Sequence, residues 1–212
     1  MNYTCECIKL KNEDVDKLVD CSADLLRTDG VILAPTDTVY GLICLPTSKV
    51  AIKKIFEMKG RPLNQHLPII VADIQQAEST LPIVWNNYAR NLAIKFWPGA
   101  LTLAFGIEKN DIEWLKGRIE VAIRVPDNIF IQKLARKIGP LLMTSANMHG
   151  KDATNTLESA LSSLFFAPAL AIDGGLLSGK PSTLVNVNLS KPRVERVGII
   201  SESEIERVIV YE

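Results

Sequence analysis

The chain has 212 residues, 47% of them hydrophobic and 23% charged, and its 24 Lys plus Arg balance 24 Asp plus Glu to a formal net charge of zero. This is the composition of an ordinary soluble globular protein, and the neutral balance argues against one built mainly to coat nucleic acid. Residues 1–6 lack a basic start followed by an apolar run, and no stretch approaches the roughly 20 apolar residues of a membrane span, so a cytoplasmic protein with no membrane partner is expected.

Val15, Leu18, Val19, Leu25 and Leu26 recur at helical spacing, with Asn12 as the expected N-cap and Gly30 just past the end. Val31-Ile32-Leu33-Ala34 reads as a buried strand and 42–45 as a second, separated by the polar run 35–41. Ser48 is placed to cap a helix carrying Val50, Ile52, Ile55 and Phe56, which Gly60 stops. Residues 67–72 are strand-like, with Pro68 at the start or an edge. Residues 86–96 read as a helix with Tyr88, Leu92 and Phe96 on one face. A turn at 97–100 leads into a strand at 101–105, and another strand at 121–125 is ended by Pro126. Helix 129–138 is closed by Gly139-Pro140, and the strand 141–143 runs into Thr144. A helix near 156–166, strands at 169–173, 183–187 and 193–197, and a short helix after Ser201 complete the pattern. Several strands follow one another with no helix between, so the expected fold is α/β with a mixed sheet. With no repeat, low-complexity run or linker, residues 1–212 read as a single domain.

Two short segments stand out as carriers of chemistry. Lys59-Gly60-Arg61-Pro62 puts two cations on either side of a glycine, where they can converge on one anion. Lys59 also suits a helix C-terminus for dipole reasons alone. Thr144-Ser145-Ala146-Asn147 follows a buried strand directly, the usual place for a ligand in an α/β sheet, and its small side chains let backbone N–H groups approach an anion. A plain polar turn is the competing reading. Arg124 lies inside an apolar strand and must be paired or face a ligand. Thr36, Thr38 and Tyr40 form a hydroxyl-rich stretch, Ser182-Thr183 is a further hydroxyl pair, and Arg196 and Gly198 sit near the last strand.

There is no P-loop, dinucleotide fingerprint or hydrolase elbow. Two histidines, His66 and His149, leave little room for a histidine-ligated metal. Cys5, Cys7, Cys21 and Cys44 match neither a zinc site nor a disulfide framework, and are expected to be buried or half-buried thiols in a reducing compartment.

Taken in order, the segments resemble the YrdC family, the threonylcarbamoyl-adenylate synthases. The resemblance runs from about Asp16 to Gly198. It rests on Pro35-Thr36-Asp37-Thr38-Val39-Tyr40-Gly41-Leu42, Lys59-Gly60-Arg61-Pro62, Trp97-Pro98-Gly99, Arg124-Val125-Pro126, Thr144-Ser145-Ala146-Asn147, Ser182-Thr183 and Arg196-x-Gly198. It implies a twisted mixed sheet with flanking helices around a large concave, positively charged cavity. It implies condensation of L-threonine, bicarbonate and ATP into threonylcarbamoyl-AMP and pyrophosphate, with Mg²⁺ bridging the phosphates. The product would pass to the tRNA threonylcarbamoyltransferase complex, with weak direct tRNA binding as an accompanying expectation. By resemblance Lys59, Arg61, Ser145 and Asn147 are the catalytic and ATP-binding set, Arg196 contacts the nucleotide, and Thr36, Arg124 and Ser182 bind threonine. The sequence departs from the family pattern at Gln65 and His66. It looks like the short form, without a C-terminal extension. The alternative is an RNA- or tRNA-binding paralogue without synthase activity. A carbamoyl-transferring maturation module ranks lower, because the paired zinc-binding cysteines of those relatives are missing.

Overall fold

The structure is a computed structural model describing residues 5–12, 14–62 and 65–210. Among the described residues ten strands form one sheet: β1 (Glu6–Lys9), β2 (Ile32–Ala34), β3 (Gly41–Cys44), β4 (Ile69–Ile70), β5 (Leu101–Gly106), β6 (Glu120–Arg124), β7 (Leu141–Ser145), β8 (Leu170–Asp173), β9 (Thr183–Asn186) and β10 (Arg193–Arg196). Their order across the sheet is β1-β8-β2-β3-β7-β4-β6-β5-β9-β10. The pairs β1–β8, β2–β8, β4–β6 and β5–β9 are parallel and the others antiparallel, so the sheet is mixed, as expected.

Seven α-helices flank it among the described residues: α1 (Val15–Arg27), α2 (Lys49–Lys59), α3 (Ile74–Thr80), α4 (Asn87–Phe96), α5 (Ile129–Ile138), α6 (Leu157–Ser162) and α7 (Glu202–Val210). Local chemistry sets their ends. Ser48 Oγ accepts the Ala51 N–H to open α2, and Gly60 closes it in the left-handed region at φ 59°. Asn86 and Asn128 cap α4 and α5 in the same way. The cap of α1 is Asp14, whose carboxylate accepts from Asp16 N, and not Asn12, which ends a short 3₁₀ turn. Neither β1 nor α3 was anticipated, and the helix expected near 156–166 is shorter. Of the four thiols, Cys44 is buried and Cys5 half-buried, but Cys7 and Cys21 are exposed, since Cys7 lies on the mostly exposed edge strand β1 and Cys21 outside the buried face of α1.

Strand alternation sorts side chains onto two faces. On one face α2, α4 and α7 bury Ile55, Phe56, Leu92 and Ile205 against Tyr40, Leu42, Leu103, Phe105, Ile123 and Val185. On the other, α1 and α5 bury Leu26, Phe130 and Leu134 against Ile32, Ile43, Leu170 and Ile172. Each such side chain contributes roughly 1.5–3 kcal/mol of apolar transfer. The α1/α5 layer covers the β8-β2-β3-β7-β4 part of its face. Over β6, β5, β9 and β10 that face carries Ala122, Arg124, Thr102, Leu184 and Arg196, which line a cavity and belong to neither apolar core. These strands alternate apolar residues toward one core with small or polar residues toward an open concavity.

Candidate functional site

The concavity is a cavity of about 300 Å³. Thr36, Thr38 and Arg124 line it as one hydrogen-bonded group, Met143 to Ser145 form the floor, and Thr102, Ser182 and Arg196 are a second hydrogen-bonded group in its lining. Arg61 and His66 close the rim. Three guanidiniums therefore line it, and no carboxylate does among the described residues. Such a lining attracts anions.

Arg124 is 7% exposed, and each of its three side-chain nitrogens donates one hydrogen bond. Nε donates to Gly99 O at 2.9 Å, one terminal nitrogen to Thr38 Oγ1 at 2.9 Å and the other to Asp37 Oδ1 at 2.6 Å. Arg124 thus has an ion-pair partner in the half-buried Asp37 carboxylate and also lines the cavity. The Thr36 hydroxyl sits 2.8 Å from that of Thr38 and accepts the N–H groups of Thr38 and Val39, fixing the turn before β3. In the second group Ser182 Oγ lies 2.7 Å from Thr102 Oγ1. Arg196 donates to Ser182 O at 3.0 Å and to Ser182 Oγ at 3.2 Å. The structure thus places Arg196 against Ser182 and near Arg124, in the same cavity as Thr36. Burial lowers the Arg124 and Arg196 pKa values, and for Arg124 the Asp37 carboxylate works against that loss while Arg196 adds to it.

Lys59 lies behind the floor. Its Nζ donates to Ser145 O, to Asn147 O at 2.6 Å and to Asn147 Oδ1 at 3.4 Å, at 2% exposure. Burial, with Arg61 nearby, pushes its pKa down to about 8. The Asn147 amide is also spent within its loop, donating to Lys151 O at 2.6 Å and Met148 O at 3.1 Å. Of the Lys59, Arg61, Ser145 and Asn147 set, Arg61 and Ser145 face the cavity, whereas Lys59 and Asn147 brace the turn after β7. Arg61 donates to Gln65 Oε1 at 2.7 Å, His66 O at 3.2 Å and Thr144 Oγ1 at 3.3 Å, with its guanidinium over the Phe56 ring.

Sequence reasoning overlooked Asp37 and Thr102. The signal for Thr102 was one hydroxyl interrupting the apolar run of β5. Asp37 could be paired with Arg124 only once β6 was known to end opposite the 36–39 turn. Tyr40 is structural: its hydroxyl donates to Gly175 O at 2.8 Å and accepts from Gly174 N at 3.0 Å. Among the described residues no cluster of His, Cys, Asp and Glu is arranged to hold a metal ion, and no helix is long and apolar enough to cross a membrane.

The Sua5/YciO/YrdC family model, whose description reads "Telomere recombination", matches residues 24–198. The chain belongs to this family. As a Sua5/YciO/YrdC chain it is 37% identical over 199 residues to the threonylcarbamoyl-AMP synthase of Bacillus subtilis (strain 168), covering 92% of its own length and 57% of that relative. It is 34% identical over 164 residues to the threonylcarbamoyl-AMP synthase of Pseudomonas aeruginosa (strain UCBPP-PA14), covering 76% and 86%. The structure of P. abyssi Sua5 complexed with L-threonine superposes with a TM-score of 0.85 at 30% identity, over 97% of this chain and 61% of that one. E. coli YciO superposes with a TM-score of 0.82 at 27% identity, over 97% and 100%. The mixed α/β fold is therefore the family's fold, and the chain spans less than two thirds of the B. subtilis and P. abyssi relatives.

Proposed function

We propose that this Sua5/YciO/YrdC chain, acting as one domain over residues 1–212, is a cytoplasmic threonylcarbamoyl-AMP synthase. It condenses L-threonine, bicarbonate and ATP, releases pyrophosphate, and supplies the tRNA threonylcarbamoyltransferase machinery. One observation carries the reading: three inward guanidiniums and the hydroxyls of Thr36, Thr38, Thr102 and Ser182 share one cavity, in a chain whose relatives carry that name. An amino acid with a carboxylate and a hydroxyl needs a cation and hydroxyl partners, and a triphosphate needs further cations.

In this reading Arg124, held by Asp37, takes the threonine carboxylate, while Thr36 and Ser182 orient its hydroxyl and amine. The neutral amine attacks the carbon of bicarbonate, and water leaves. A carbamate oxygen then attacks the α-phosphorus of ATP and pyrophosphate departs. Arg61 and Arg196 offset the charge that builds on the phosphates, and Ser145 donates to a phosphate oxygen. Lys59 and Asn147 keep the 145–147 turn in place and add positive charge behind it. Among the described residues no carboxylate lines the cavity to act as a general base, so substrate and phosphate oxygens carry the protons and most of the rate comes from orientation. Magnesium enters as the ATP complex, since it prefers phosphates and water to a protein cage. The RNA-binding alternative is disfavoured because the cations turn into a small cavity instead of lining an open groove.

The test is to incubate the protein with MgATP, L-threonine and bicarbonate and quantify threonylcarbamoyl-AMP. Product equal to a protein-free control refutes the proposal.

A further inference from the structure

The cavity does not end at its rim. A second chamber of about 290 Å³ lies past His66 and shares His66, Pro68 and Ala122 with the first. Its far wall is the turn Gly117-Arg118-Ile119 leading into β6. None of the roles above uses this chamber. Its principal cation is Arg118, whose guanidinium carbon lies 5.9 Å from the centroid of the Trp114 ring. A cation held over a ring face makes an electrostatic contact that uses none of its N–H donors. Among the described residues that side chain has no hydrogen-bond or ion-pair partner. Glu120, the carboxylate in the chamber wall, is committed elsewhere, with Oε2 accepting from Asn186 Nδ2 at 2.9 Å. His66 joins the two chambers: its carbonyl accepts from Arg61, and its ring is close enough to feel the Arg118 charge. The two chambers thus meet at His66, with Arg61 in the lining of the first and Arg118 in that of the second. A half-buried guanidinium with its donors unused favours an anion with several oxygens.

We propose that the second chamber is an anion subsite in which Arg118 holds the pyrophosphoryl end of the nucleotide and the pyrophosphate after it leaves. The nucleotide's identity rests on the synthase reading above. In the step concerned the carbamate oxygen bonds to the α-phosphorus. The bond from that phosphorus to the bridging oxygen breaks, and pyrophosphate leaves with the electron pair. Arg118 then neutralises charge on the leaving group, so it acts on a reacting species without transferring a proton.

Calorimetric titration of the full chain with inorganic pyrophosphate, and separately with AMP, tests this. Arg118→Met is expected to weaken pyrophosphate binding about tenfold or more and to leave AMP binding within about twofold. Lys109→Met, which removes an exposed cation from the same β5–β6 connection, is expected to change neither. No pyrophosphate binding by the wild type, no effect of Arg118→Met, or equal weakening by both variants overturns the proposal. Should Arg118→Met not fold, Arg118→Lys, which keeps the charge and loses the fork, replaces it with a partial loss expected. Threonylcarbamoyl-AMP formation measured on the same samples separates the two ideas. Arg118-dependent pyrophosphate binding without product supports the subsite and sinks the synthase reading; product with Arg118-independent pyrophosphate binding does the reverse.

Discussion

Lys59→Met removes an ammonium and keeps most of its stem, which makes it the most informative single change. Lys59 is 2% exposed, and its pKa falls from 10.5 to about 8. Below about pH 8 the folded and unfolded chains both hold the proton, so the cost of burying the charge is constant. Between about 8 and 10.5 the unfolded chain keeps a proton that the folded chain has released. Stability from this group therefore rises with pH through that window, by about 1.4 kcal/mol per unit and about 3 kcal/mol in all. The methionine variant lacks this titration. At neutral pH it leaves Ser145 O and Asn147 O without their donor, at about 1–3 kcal/mol each, and recovers about 3 kcal/mol of burial cost, so it stays within about 3 kcal/mol of wild type. Urea unfolding of both proteins from about pH 6 to about pH 10 gives the comparison. The stability difference, wild type minus variant, should be flat at first and then climb above about pH 8. A difference that stays flat or falls refutes the reasoning, because the surrounding oxygens would then hold the ammonium charged. Product formation by the variant should drop at least about a hundredfold at neutral pH, since the 145–147 turn loses its brace.

Arg124→Met leaves the half-buried Asp37 carboxylate without its cation and should cost about 1–3 kcal/mol in urea unfolding. Adding Asp37→Asn should return part of that loss, and a double variant no better than the single one would show that the pair is not coupled. At Gly198 a Cβ would lie 2.1 Å from Pro181 O and 2.5 Å from the Ser182 carbonyl carbon, both backbone atoms that cannot step aside. Gly198→Ala should cost about 1–3 kcal/mol and raise the KM for threonine as Arg196 is pushed off Ser182; an unchanged KM argues against that coupling.

Where a segment's own residues determine its conformation, the sequence was readable. Ser48 and Gly60 bound α2 as their cap chemistry requires, and α5 spans Ile129–Ile138 as its apolar spacing implies. By contrast β1 is an edge strand with mostly exposed residues, and α3 buries little beyond Ala77, so neither carries the periodic apolar signal that marks an element. Site residues divide along the same line. Arg61 and Ser145 look like ligand groups in sequence and face the cavity. Lys59 looks the same, yet its partners are backbone oxygens after β7, and no pattern of side chains announces a backbone acceptor. Arg118 carries no local mark, since only the fold brings its turn beside His66.

The two faces of the cavity are joined by pairings between distant parts of the chain. Ile32 pairs with Leu170, Gly41 with Ser145 and Leu101 with Thr183. Such a topology closes slowly, since each ladder must first overcome a long loop. During synthesis Ser182 and Arg196 are the last wall to leave the ribosome, and they reach their places only after β9 has joined β5. A growing chain therefore holds Arg61 and Arg124 well before it has a cavity for them, and the competence to hold a small anion should arrive late and all at once.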